Sequence, residues 1–107
     1  MVYLLEKDNE LLARLPLIEM DGHGAHCAFE PTPAFGPYRA LFDEDALLAG
    51  ELNEGSAPEQ IERARALTER IVNLGFILRA EDNSEEYFLF LLGIEGDRAD
   101  FQPLDGP

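Results

Sequence analysis

The sequence predicts an α+β fold, with an antiparallel sheet built from an N-terminal hairpin and a C-terminal three-strand meander, and with two helices packed on one face. Two observations predict it. Strand-length apolar segments lie toward both ends of the chain, whereas helical periodicity lies only between them. Polar turns, two of which contain glycine, separate the strand segments. Such segregation of strands and helices is typical of α+β folds, and 107 residues suit one domain, residues 1–107.

The N-terminal hairpin is predicted from two apolar segments on either side of a glycine turn. Leu11 to Met20 is the first arm, and Pro16 in its middle favours an edge strand or a bulge, because proline cannot donate to a ladder. Asp21-Gly22-His23-Gly24 reads as the turn, and Ala25 to Glu30 returns as the second arm. A short strand, Tyr3 to Leu5, precedes them.

Two helices are predicted in the middle of the chain. Thr32-Pro33 combines a favourable N-cap with proline at the first helical position, and the Gly36-Pro37 pair places the start of the regular helix at Pro37. Ser56-Ala57-Pro58-Glu59 has the pattern of a capping box. The second helix is therefore predicted from Ala57 to Leu74, with Gly75 as the left-handed residue that ends it.

The C-terminal part predicts three strands, Phe76 to Ala80, Glu86 to Glu95 and Arg98 to Gln102, with Gly96-Asp97 as the last hairpin turn. The segment Glu86 to Glu95 is apolar on both faces, which is typical of a central strand. Its second face must then be covered by a second layer, by the N-terminal hairpin or by another copy of the chain. Residues 103–107 are predicted to be a tail.

Charge sets limits on the partners of this protein. The chain carries 22 acidic against 8 basic residues, a net charge of −14, yet 46% of its residues are apolar, which favours a folded domain over a disordered acidic segment. Nucleic acid and anionic membrane surfaces are bound by Lys and Arg, so neither is expected as a partner. A basic protein surface remains a possible partner. The competing interpretation is that the charge only confers solubility.

The sequence also predicts a soluble, cytoplasmic protein. One cysteine, Cys27, permits no internal disulfide and fits a reducing compartment. The N-terminus lacks the pattern of a secretory signal, and no apolar run approaches the ~20 residues that a membrane-spanning helix needs.

One short segment contains the residue types of a metal site. Asp21, His23, His26 and Cys27 lie within seven residues, and Zn²⁺ binds imidazole and thiolate well. Against this, the spacing matches no established zinc signature, and the adjacent His26 and Cys27 would point to opposite faces of a strand. A fourth ligand would be Asp21 or a distant carboxylate such as Glu30. The alternative is a polar turn followed by a small buried cysteine.

Catalytic signatures are absent from the sequence, which favours a non-enzymatic protein and leaves an enzyme as the open alternative. A nucleophilic Cys27 with His23 or His26 as base would have no identifiable orienting residue. Carboxylate runs such as Asp43-Glu44-Asp45 read as solvated surface, because acid–base catalysis needs two carboxylates in different environments. Phosphate-binding glycine loops and dinucleotide fingerprints are missing, and no cofactor is predicted.

Two segments together carry a resemblance. Phe29-Glu30-Pro31-Thr32-Pro33-Ala34-Phe35 and the closing hairpin around Gly96-Asp97 resemble small acidic bacterial proteins of unknown function. The resemblance extends over about two thirds of the chain, and the matching features are structural: a cap, a turn and a helical stripe. This chain differs from those proteins in having no Trp. The resemblance implies a bacterial protein and no activity.

Three functional hypotheses follow. The leading one is a non-enzymatic acidic interaction domain that binds a basic protein patch, for example in the manner of an immunity protein or an antitoxin. The second is a small metal-binding protein that uses His23, His26 and Cys27. The third is the subunit of a structural homodimer that buries the spare face of the segment from Tyr87 to Ile94.

Overall fold

A computed structural model describes residues 1–104 and confirms the α+β class, with eight antiparallel strands and two α-helices. A 3₁₀ segment, Pro33–Tyr38, precedes the first α-helix. Of the predicted tail, residues 105–107 lie outside the described part. The elements are β1 (Val2–Lys7), β2 (Glu10–Asp21), β3 (Gly24–Ala28), β4 (Glu30–Pro31), α1 (Arg39–Glu51), α2 (Pro58–Val72), β5 (Ile77–Ala80), β6 (Glu86–Tyr87), β7 (Phe90–Glu95) and β8 (Arg98–Pro103).

The sheet is strongly curled. Its strand order is β6-β5-β1-β2-β3-β8-β7, with β4 beside β2, so β6 and β7 lie at opposite edges. Only Phe88 and Leu89 separate these two strands along the chain, and three Cα–Cα steps reach at most about 11 Å. The two edges must therefore approach each other. The rings of Tyr3 in β1 and Phe101 in β8 accordingly touch across the concave side, with centroids 4.9 Å apart.

Strand β2 supplies one of the bends that the curl requires. Its first half pairs with β1 as far as Pro16, and its second half pairs with β3 from Leu17 onward. The register shifts between Leu17 and Glu19, which confirms the predicted bulge. The predicted edge position was wrong, because β2 has partners along both sides. A residue without an N–H is tolerated here because it lies where the strand exchanges one partner for the other.

The prediction of one central strand from Glu86 to Glu95 was wrong. The segment breaks at Phe88 and Leu89 into β6, which pairs with β5, and β7, which pairs with β8. A strand that serves both edges of a curled sheet has to bend between them. Its second face is not covered by the described residues: the side chains of Phe88, Leu89 and Leu91 are exposed, Phe88 to 58%.

Both helices begin later than the sequence predicted. Helix α1 starts at Arg39, and the Thr32 hydroxyl donates to the carbonyl oxygens of Leu11 and Leu12 instead of capping a helix. The prediction of a capping box from Ser56 to Glu59 was wrong, because the Ser56 hydroxyl accepts from the N–H of Asn53.

Helix α2 is capped one residue further along the chain than predicted. The Gln60 side chain accepts from the N–H of Ala57 at 3.0 Å, and the helix begins at Pro58. At the other end, Gly75 has a φ of +79°, which confirms its predicted left-handed conformation.

An aromatic cluster holds the helices on the sheet. Phe35 packs edge-to-face on Phe29 with centroids 4.9 Å apart, and Phe42 stacks on Phe76 at 6.0 Å. The Arg39 guanidinium lies over Phe29 and Phe35, and it donates to the carbonyl oxygen of Gly96 in the β7–β8 turn at 3.3 Å. Such ring pairs stabilise a fold by about 1 kcal/mol each beyond their burial. The cluster therefore sets the position of α1 relative to the β7–β8 hairpin.

Candidate functional site

Two of the surface recesses share Asp100. The first, here called the acidic groove, lies beside β2, β3 and the β7–β8 hairpin. The second, here called the helix–hairpin cleft, lies between α1, α2 and the β7–β8 hairpin and has a volume of about 310 Å³. The acidic groove is lined by Ile18, Glu19, Asp21, His26, Glu95, Asp97, Arg98 and Asp100.

His26 lies between two carboxylates at one wall of the acidic groove. Its Nδ1 is 2.6 Å from an oxygen of Asp100, and its Nε2 is 3.0 Å from an oxygen of Asp21. The second Asp21 oxygen accepts from the backbone N–H of His23 at 2.7 Å. The hydrogen bonds to Asp100 and Asp21 raise the pKa of His26, and the His23 amide, followed by His26, lowers the pKa of Asp21. This Asp21–His26–Asp100 bridge fixes two carboxylates at the groove wall.

The structure brings together only part of the predicted metal set. Asp21 and His26 are in contact, whereas Cys27 points into the core on the other face of β3 and is 1% exposed. His23 contributes its backbone amide to Asp21, and its side chain lines the helix–hairpin cleft. Within residues 1–104, no three His, Cys, Asp or Glu side chains are grouped so that they could hold a metal ion. The four residues therefore do not form one site, and zinc binding stays a prediction.

The environment of Cys27 also bears on the nucleophile alternative. Burial, followed by the nearby charge of Asp100, raises the pKa of its thiol to about 11. A reactive cysteine needs the opposite change, because the thiolate is the nucleophile. Cys27 is accordingly a core residue in β3.

The helix–hairpin cleft contains a carboxylate that sequence reasoning placed on the solvated surface. Of the run in α1, Asp43 is 4.0 Å from Arg39 and Glu44 is 2.7 Å from Arg63. Asp45 is half-buried and has no ion pair or hydrogen bond of its side chain within residues 1–104. Burial raises the pKa of Asp45.

A signal for Asp45 was present in the sequence. It lies three residues after Phe42 and three before Leu48, both of which are buried, and side chains three apart share a helix face. This spacing places the carboxylate of Asp45 toward the packed side of α1, whereas Asp43 is exposed.

The remaining walls of the cleft are mostly apolar. Ala49, Ile71, Val72 and Leu91 line it, and the Thr68 hydroxyl, which donates to the Ala64 carbonyl oxygen at 3.1 Å, retains capacity to accept. No Lys or Arg of the described chain lines it. A mostly apolar recess of this volume with few polar groups has the character of a binding site for a small group.

Comparisons with known proteins add no functional information. The chain matches no family model, and no curated protein or solved structure is significantly similar to it. The resemblance to small acidic bacterial proteins thus stays a prediction.

In the described residues, neither helix is long and apolar enough to cross a membrane. The predicted cytoplasmic location and the absence of nucleic-acid partners also stay predictions.

Proposed function

We propose that this protein is a non-enzymatic interaction domain whose acidic groove binds a basic segment of a partner protein. The observation that carries the proposal is the composition of the groove, which has five carboxylates against one arginine and one histidine. Three of the five, Glu19, Glu95 and Asp97, have no side-chain ion pair or hydrogen bond within residues 1–104. These carboxylates are available to a cationic partner without breaking an internal contact.

The rigidity of the groove wall supports the same proposal. The Asp21–His26–Asp100 bridge holds two of the carboxylates in place, one on β2 and one on β8 at either side of β3, so less side-chain entropy is lost when a partner binds. Ile18, which is 57% exposed, adds an apolar surface on which the aliphatic stems of Lys or Arg could pack. The net charge of the whole chain, −14, would accelerate encounter with a basic surface.

An immunity- or antitoxin-like protein is one concrete version of this role. In that version, the groove would cover a basic surface that its partner otherwise presents to nucleic acid. The negative charge that disfavours nucleic acid as a partner of this chain would then let the chain compete with nucleic acid for the partner's basic surface.

The test uses the whole chain and a fluorescein-labelled ten-residue peptide of alternating lysine and glycine. Fluorescence anisotropy at 50 and 300 mM NaCl should show an affinity that falls at least about tenfold with salt, because exposed charges are screened. The groove variant Glu19→Gln/Glu95→Gln/Asp97→Asn should lose about tenfold at low salt, at roughly 0.5 kcal/mol for each charge.

The matched control removes the same number of charges elsewhere. Glu54→Gln/Glu69→Gln/Glu86→Gln changes three exposed carboxylates that do not line the acidic groove. Retained binding in this variant supports a groove-specific site. Equal losses in the two triple variants would show that only net charge matters, and the proposal would then be wrong.

Self-association is a second candidate role, favoured by the exposed apolar side chains of Phe88, Leu89 and Leu91. The net charge of −14 on each copy opposes it. Sedimentation velocity at about 100 μM in 300 mM NaCl, where that repulsion is screened, decides between these effects. A monomeric mass would exclude this role, and a dimer that Phe88→Ser dissociates would establish it.

A further inference from the structure

We infer that the helix–hairpin cleft holds one long cationic side chain, lysine or arginine, of the basic segment that the acidic groove recognises. The inference rests on the proposed function and names a specific anchor within it. Three observations carry it: an unpartnered carboxylate in the cleft, apolar walls beside it, and continuity with the groove.

The unpartnered carboxylate is Asp45. Its two neighbours in the run, Asp43 and Glu44, have arginine partners, but Asp45 has none within residues 1–104 although it is half-buried. A half-buried carboxylate without a partner costs folding free energy, because ionisation occurs where hydration is incomplete. A cationic group from a ligand would supply the missing partner.

The walls suit the aliphatic stem of such a side chain. Ala49, Ile71, Val72 and Leu91 present apolar surface beside Asp45. Lysine and arginine carry three or four methylene groups before the charged head, so one side chain can pack against the walls while its head reaches the carboxylate. A small inorganic cation would leave these apolar walls uncovered, and an anion would be repelled.

Continuity with the acidic groove identifies the source of this side chain. Asp100 lines both recesses, and it is held there by the 2.6 Å contact with His26. A segment that lies in the groove can therefore direct one side chain past Asp100 into the cleft. The third titratable side chain among the residues that line the cleft, beside Asp45 and Asp100, is His23 from the β2–β3 turn.

The experiment isolates the side chain from the rest of the segment. Nα-acetyl-lysinamide is titrated into the ¹⁵N-labelled full chain at pH 7, with Nα-acetyl-norleucinamide as the uncharged match. A single side chain of this size is expected to bind with a Kd of about 1–10 mM. We expect the lysine probe to shift the amides of Thr68, Val72 and Gly93, and the norleucine probe to bind at least about fivefold more weakly.

Two variants locate the effect. Asp45→Asn should weaken lysinamide binding at least fivefold, whereas Asp43→Asn, which removes an equal charge two residues away, should leave it unchanged. Asp45→Asn is nearly isosteric, and a ¹⁵N spectrum of the free variant tests whether it is folded. Equal binding by both probes, no shifts at the cleft, or equal losses in both variants would each overturn the inference.

The two proposals can fail separately. The groove variant Glu19→Gln/Glu95→Gln/Asp97→Asn should bind lysinamide normally while losing affinity for the labelled peptide. If the peptide binds with unchanged affinity to Asp45→Asn, the anchor is wrong and the groove proposal stands. If lysinamide binds the cleft but the groove variant keeps its peptide affinity, the proposed function is wrong and the cleft remains a site for alkylammonium groups.

Discussion

The carboxylates of the Asp21–His26–Asp100 bridge and the carboxylate of Asp45 are in opposite states, although the two recesses that they line share Asp100. At the acidic groove, His26 is in contact with Asp21 and Asp100 at 3.0 and 2.6 Å, so both ring nitrogens are in use. In the helix–hairpin cleft, Asp45 is half-buried and without a partner among residues 1–104. The bridge raises the pKa of His26 through hydrogen bonds to carboxylates, whereas burial alone raises the pKa of Asp45.

The difference separates carboxylates that fix the shape of a site from carboxylates that are available to bind a ligand. A carboxylate that already has a partner contributes position, since its contacts would have to be broken before it could serve a ligand. A partly buried carboxylate without one lowers stability and is available. Functional sites are one place where proteins keep such a destabilising group, because activity can require it. This is why Asp45, and not the larger group around His26, is assigned to the anchor.

The strongest perturbation of the bridge is expected from Gly24→Ala. Gly24 has a φ of +121°, and an added Cβ would lie 2.4 Å from the Phe101 carbonyl oxygen, so β3 must move away from β8. A loss of about 2–4 kcal/mol in the free energy of unfolding is expected by urea titration. Gly22→Ala is the matched control, because its Cβ would meet nothing within 4 Å. A small effect of Gly24→Ala would mean that the β3–β8 pairing near His26 is not rigid.

A smaller change in the free energy of unfolding, of opposite sign, is expected from Asp45→Asn in the helix–hairpin cleft. The folded-state pKa of Asp45 is raised above its unfolded value, so ionisation disfavours the folded state as pH rises from about 3.9 through the folded pKa. Asp45→Asn should therefore increase stability at pH 7 by up to about 1 kcal/mol, with no gain at pH 3.

The neighbouring residue of α1 supplies the control for Asp45→Asn. Glu44→Gln breaks the 2.7 Å pair with Arg63 and should cost no more than about 0.5 kcal/mol. Urea unfolding at the two pH values measures both variants. Destabilisation of the fold by Asp45→Asn would show that its carboxylate has a structural role.

The bridge should show a pH dependence of its own. His26 has a folded-state pKa above its unfolded value of about 6.5, so its stabilisation is complete below pH 6.5 and is lost as pH rises through the folded pKa. Wild type and His26→Gln should accordingly differ most in stability near pH 6 and converge at higher pH. An NMR titration of the His26 Cε1 proton gives the pKa directly, and a value at or below 6.5 would contradict the bridge.

Added zinc is expected to have the smallest effect. Both nitrogens of His26 are engaged by carboxylates, and the Cys27 sulfur lies on the core side of β3. The Tm with one equivalent of Zn²⁺ should therefore match the Tm with EDTA within about 1 °C, which for a chain of this size is a small fraction of a kcal/mol. A stoichiometric rise of several degrees would instead support the metal-binding hypothesis.

Patterns within short stretches of sequence predicted the α+β class, helix α2, the Gly75 stop and the β7–β8 turn. These features depend on interactions between residues close in the chain, which periodicity and turn chemistry report. The same reasoning failed at Ser56, because its hydroxyl turned back to Asn53 and left Gln60 to cap the helix.

Only the tertiary structure decided which charged residues act together. His26 and Asp100 are 74 residues apart and meet because β3 pairs with β8. The kink at Phe88 and Leu89 exists because one segment has to reach both edges of a curled sheet. Strand order and curvature arise from non-local packing, which local patterns do not encode. By itself the sequence determined a folded, acidic α+β chain. The packing of its helices against the β7–β8 hairpin determined that, of three adjacent carboxylates, Asp45 has no partner within residues 1–104.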